Sequence, residues 1–168
     1  MGAGVGCRIV GRSPVGALYH HFHGKEDLAH AAMQRNAEEM HTAVEEDLAG
    51  PGSAVDKIAR YLHRERDVLR GCRFGKLAQD AEVASSEILH PLVSEMFAWL
   101  QTRLVDVIEQ GQRDGEFSTE LNATGIAAMI AATLQGGYVL ARAAQDPAVF
   151  ALAIEGALEL IRTSAAGQ

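Results

Sequence analysis

Apolar positions recur at intervals of three and four over most of the chain, and glycine, proline and serine divide them into segments of helical length. Leu28, Ala32, Met33, Ala37, Met40, Val44 and Leu48 trace one stripe, which predicts a helix from Lys25 to about Leu48. Gly50, Pro51 and Gly52 end it. Ser53 with Asp56 three residues on has the form of a capping box, Asp standing where Glu is usual. The helix that follows is expected to turn Val55, Ile58, Ala59, Leu62 and Leu69 inward. Gly71 and Gly75 bracket an expected break before Leu77 to Val83. Ser85 and Ser86 then offer an N-cap for a helix reaching about Arg113, and Pro91 predicts either a start shifted towards it or a kink. Asn122 is placed to cap an apolar stretch from Ile126 to Arg142, and Asp146 with Pro147 to cap the last, from Val149 to about Ile161. Near the start of the chain, Gly11 marks a turn, and Ser13 with Pro14 marks the start of a short helix ending between Phe22 and Gly24.

Composition agrees with this helical reading. The chain is 48% hydrophobic but only 5% aromatic, with Ala and Leu throughout, which favours helices packed closely through small side chains and hence an all-α fold. The last two helices carry Ala127, Ala128, Ala131, Ala132, Gly136 and Gly137, then Ala151, Ala153, Gly156 and Ala157, so small or apolar residues cover more than one face of each. A helix apolar on two faces needs two partners. One is the chain's own core, and the other is expected to be the same pair of helices in a second copy, giving a homodimer through a four-helix interface. No apolar run is read as long enough to cross a bilayer. The opening residues lack the charged start and apolar stretch of a signal peptide, so no membrane partner and a cytoplasmic location are expected.

Charge changes the picture at one end. The net formal charge is -7, yet residues 1–25 hold Arg8, Arg12 and Lys25 with no acid, leaving 12 bases against 22 acids in the remainder. A basic head before an acidic body suits one phosphate-facing end on a body that does not touch nucleic acid. Cys7 and Cys72 have no metal-ligand spacing and are read as free thiols. His20, His21, His23 and His30 lack a Cys or carboxylate at a structural zinc spacing, so they are read as a solvated cluster with no metal. The pairs Glu38, Glu39 and Glu45, Glu46 suit solvated helix faces. With no nucleophile triad, carboxylate pair or phosphate loop, no enzyme and no cofactor are expected.

Gly11, Ser13, Leu18, Tyr19, His21, Phe22, Lys25 and Leu28 together resemble the recognition helix and exit segment of the TetR/AcrR family of helix-turn-helix transcriptional regulators. The match is dense from Gly11 to about Met33. Further on, the segment Gly71 to Ala78, with Gly111 to Phe117, is similar to the LmrA/YxaF-like branch. The resemblance implies a DNA-binding head, residues 1–48 with a linking helix, and a helical effector-binding and dimerisation body, residues 49–168. In a helix lying in the major groove, Ser13 starts the helix, and Pro14, Val15 and Gly16 would approach base edges. Tyr19, His21 and Lys25 would hold phosphates, and Leu18 and Phe22, four apart, would fix the helix to its scaffold. Only eighteen residues precede Tyr19, and Met1 to Val10 carries three glycines, each costing roughly 1 kcal/mol relative to alanine in a helix. The expectation is therefore a partial head in an N-terminally shortened member of the family.

The resemblance also implies a small molecule bound in the body that alters the spacing of two heads. Phe74, Leu77, Met96, Phe97, Leu100, Arg103, Gln135 and Tyr138 are the candidate pocket residues, bulky or polar side chains on segments expected to face inward. Core packing explains each equally well taken singly, and Arg103 has an alternative place on the solvated face beside Asp106. The implied function is a ligand-responsive regulator, in the repressor sense, that binds operator DNA as a homodimer and is released by its effector. The alternative is a truncated helical module that dimerises and binds ligand without competent DNA binding.

Overall fold

A computed structural model describes residues 24–166. Among these residues the chain is helix and connecting turns without strands: α1 Lys25–Leu48, α2 Ala54–His63, α3 Arg73–Leu77, α4 Ala81–Ser85, α5 Leu89–Arg113, α6 Ala123–Ala144 and α7 Pro147–Ala166. The all-α expectation is met. The short helix over Ser13 to Phe22, and Cys7, lie outside the described residues.

Local sequence accounts for the helix starts. The Ser53 hydroxyl accepts from the Asp56 amide at 3.0 Å while the Asp56 carboxylate accepts from the Ser53 amide at 3.0 Å, completing the capping box of α2. Asn122 accepts from the Gly125 amide at the start of α6, and Asp146 from the Ala148 amide at the start of α7. The Ser86 hydroxyl accepts from the amides of Ile88 and Leu89, so α5 begins at Leu89 and Pro91 falls in its first turn, where a missing N–H leaves no hydrogen bond unmade. The shifted start, rather than a kink, is the outcome.

Three expectations need correction. Leu69 does not continue the inward stripe of α2, because that helix ends at His63 and Leu69 lies in the following loop, 38% exposed. Gly75 does not mark a break. It sits inside α3, where a Cβ would come 2.1 Å from Gln135 Oε1 of α6, so its missing side chain leaves room for the Gln135 side chain. Finally, α6 is long and apolar enough to cross a bilayer by length and composition, contrary to the reading of its sequence. Ala127, Ile130, Leu134 and Ala141 bury one side of it, and α5 and α7 pack against it.

Two cores result. The larger joins the C-terminal half of α1 to α2, α5, α6 and α7 around Ile58, Leu62, Leu104, Ile108, Ile130 and Leu158, each fully buried and contributing about 1.5–3 kcal/mol. The smaller packs Met33 of α1 against Phe74, Val83, Leu89, Val93 and Met96 of α3, α4 and α5. Met40, Cys72 and Trp99 touch both. On α1, Met33, Val44 and Leu48 are buried and Ala29 packs against the smaller core, whereas Leu28 and Ala32 remain exposed.

Candidate functional site

Between the two cores lies a small cleft of about 60 Å³, partly open to solvent. The larger core supplies Val44, Tyr61 and Leu100 to its wall, and the smaller supplies Phe74 and Met96. A wider groove of about 350 Å³ adjoins it and shares Met40, Arg64, Arg66, Cys72 and Phe74, so the cleft is the inner end of one site with its mouth on the α2–α3 loop. Gly71 turns that loop at φ +77°, a conformation that side-chain-bearing residues rarely adopt.

Of the sequence candidates, Phe74, Met96, Phe97, Leu100 and Gln135 line the inner cleft, and Tyr138 lines the outer groove. Leu77 and Arg103 line neither. Leu77 is half-buried against the smaller core. Arg103 spans from α5 to Glu45 of α1 and to Asp106 on its own helix, at 2.7 and 2.6 Å, so its charge is satisfied by carboxylates outside the cleft. The alternative place weighed for it, beside Asp106, is the one it occupies. Of the DNA-facing candidates, Lys25 stands at the start of α1 with its ammonium 3.2 Å from Glu82 of α4, and both side chains are exposed. Ser13, Pro14, Val15, Gly16, Tyr19 and His21 lie outside the described residues, as do His20, His23, Leu18 and Phe22.

Sequence reasoning missed the polar wall. Arg66 follows the end of α2 and turns back to donate to the carbonyls of Tyr61, Leu62 (3.0 Å) and Arg64 (2.7 Å), satisfying the last carbonyls of that helix. Its Cζ and that of Arg64 each lie 5.4 Å from the centroid of the Tyr61 ring, on which both guanidinium groups pack. Arg64 Nε is 2.7 Å from Asp47 Oδ2, close enough for an ion pair but not aligned as a hydrogen bond. Burial pushes the Arg66 guanidinium below its ordinary value and the Tyr61 phenol above its own. Burial likewise raises the Tyr138 phenol to about 12, with the nearby Arg66 acting in the opposite sense. Both phenols therefore keep their protons at neutral pH and remain donors. A basic residue shortly past a helix end was the available signal, but it is equally typical of a solvated terminus.

A second surface is apolar and bare. Val139 and Leu140 of α6 and Leu152 and Leu160 of α7 are 55–75% exposed. A Cβ added at Gly136 or Gly156 would meet nothing, so these glycines do not serve packing within the chain.

Comparison with known proteins places these features in context. Residues 52–157 match the family described as tetracyclin repressor-like, C-terminal domain. No curated protein matches the chain in sequence. Among solved structures, a TetR-family transcriptional regulator from Cytophaga hutchinsonii superposes with a TM-score of 0.81 at 21% identity, covering 91% of this chain and 79% of its own. A TetR transcriptional regulator from Chloroflexus aurantiacus gives 0.78 at 26% identity, over 86% and 75%. NemR from Escherichia coli, in its reduced form, gives 0.73 at 24% identity, over 91% and 80%.

Proposed function

Because the chain belongs to the tetracyclin repressor-like family, whose members are transcriptional regulators rather than enzymes, we propose that it is a ligand-responsive repressor. In this reading it binds operator DNA as a homodimer in the cytoplasm and is released by a small molecule held in the cleft. Residues 1–48 form the head and its linking helix, and residues 49–168 the effector and dimerisation body.

One observation carries the reading. Phe74 and Met96 line the cleft and also belong to the small core that holds Met33 of α1. A ligand wedged between the cores cannot be accommodated without moving the wall on which α1 rests, because packed interiors yield in discrete steps rather than continuously. The start of α1 is tied to α4 by Lys25 with Glu82 and by the Ser86 hydroxyl donating to Glu26 at 2.8 Å, so the displacement reaches the head-proximal end of the helix. Two heads whose spacing no longer matches successive major grooves lose operator affinity, and the ligand shifts the population towards that spacing. The bare apolar faces of α6 and α7 supply the dimer surface. Lys25, together with Ser13, Pro14, Val15, Gly16, Tyr19 and His21, is assigned to the DNA contact.

Gel-shift titration of the full chain on the DNA upstream of its own gene tests this. We expect a retarded complex at low salt that weakens as salt rises, through loss of phosphate contacts. Absence of any complex at low salt would overturn the repressor reading.

A further inference from the structure

We propose that the cleft takes an organic monoanion with an apolar body, its carboxylate or equivalent head held by Arg66; this rests on the reading of the cleft as the effector site. The inner wall is apolar on one side, with Met40, Val44, Phe74, Met96, Phe97 and Leu100, and has no Asp or Glu anywhere on it. Its polar side is made almost entirely of donors, namely Arg64, Arg66, the Tyr61 phenol and the Gln135 amide.

The charges on that side do not cancel. Arg64 is offset by Asp47 at 2.7 Å, and at the mouth Arg73 is offset by Glu39 at 3.2 Å. Arg66 has no carboxylate within ion-pair distance among the described residues; Asp47 acts on it from further off, and Glu65 and Asp67 line the outer groove and not the inner cleft. Its three hydrogen bonds go to main-chain carbonyls, using both N–H groups of Nη1 and one of Nη2. The Nε–H and the second Nη2–H are left without a partner among the described residues, on a side chain that lines both the cleft and the groove. The guanidinium is partly desolvated, and its two open donors beside an apolar chamber suit a single carboxylate, which would take both in charge-assisted hydrogen bonds. An alcohol would satisfy one donor and leave the charge unmatched. An ammonium would be repelled by Arg66.

Isothermal titration of the full chain with phenylbutyrate, phenylbutanol and phenylbutylamine, which share one apolar body, separates these cases without DNA present. We expect phenylbutyrate to bind at least about tenfold more tightly than the alcohol, the worth of one charge-assisted contact, and the amine to bind most weakly. Arg66→Met should bring acid and alcohol to equal affinity, and Arg66→Lys should restore part of the preference. Arg66 also caps α2, so the ligand series on the unaltered chain decides the matter even if a variant does not fold. Equal or tighter binding of the alcohol or the amine overturns the anion assignment and leaves the cleft as the effector site. Binding of none of the three overturns both.

Discussion

Arg103 of α5 grips Glu45 of α1 through two parallel hydrogen bonds, Nε to Oε1 at 2.7 Å and Nη2 to Oε2 at 3.0 Å. The pair joins α1 to α5, and the Glu45 bond holds the guanidinium above its ordinary value. Both side chains are partly solvated, at 30% and 41% exposed, so screening limits what the pair contributes. A double-mutant cycle with Arg103→Ala and Glu45→Ala in urea unfolding should give a coupling of about 0.5–1 kcal/mol that shrinks at high salt. Strict additivity of the two substitutions would show that the pair does not fasten α1.

Gly111 sets the spacing of α5 against its neighbours. A Cβ there would lie 2.7 Å from the Ala54 Cβ and 2.7 Å from the Phe117 ring, neither of which is a flexible chain end. Gly111→Ala gains roughly 1 kcal/mol in helix propensity but incurs about 1–3 kcal/mol of overpacking, for a net loss of stability. Calorimetry should show a fall in Tm of about 2–4 °C per kcal/mol lost. A rise would mean that α2 and the Phe117 turn move aside freely.

Leu152 and Leu160 are the most exposed large apolar side chains of α7, at 75% and 66%. If two copies pair through α6 and α7, Leu152→Glu with Leu160→Glu places unpaired carboxylates in the interface, and sedimentation should report a folded monomer. Ile88, also exposed but lying before α5, serves as the control, and Ile88→Glu should sediment as the unaltered chain does. A dimer that survives the double substitution would place the contact elsewhere.

Asp56 titrates below its ordinary carboxylate value, first because the Ser53 side chain and then the Ser53 amide hydrogen-bond its charged form. A depressed folded value means that its contribution is present above the unfolded value and is lost as pH falls through the lower, folded one. The stability difference between the unaltered chain and Asp56→Ala should therefore be constant near neutrality and narrow in acid. A difference that widens in acid would contradict the capping-box geometry.

The helices were legible because their caps are local. Ser53 with Asp56, Asn122 and Asp146 each satisfy amides two or three residues away, so the residues that start a helix sit beside it in sequence. Gly75 was misread because a glycine that permits close approach looks, in one dimension, the same as one that breaks a helix. The cleft was half legible for a similar reason. Met96, Phe97, Leu100 and Gln135 lie on long helices whose inward faces follow from periodicity, whereas Phe74 lies on a five-residue helix where a break was expected, and Arg64, Arg66 and Cys72 lie outside the helices, where no period applies.

By itself, the sequence determined the all-α class, the stripe of α1, the caps and the apolar faces of α6 and α7, since each depends on residues within a turn or two of one another. The tertiary structure alone decided which arginine faces the cleft. Arg103 and Arg66 are the same chemical group, and no local pattern distinguishes them. Glu45 approaches the first across 58 residues of chain and neutralises it, while the end of α2 draws the second back over Tyr61 with carbonyls as its only acceptors among the described residues. Charge balance is a property of what is brought near, and that is set by how α1, α2 and α5 pack.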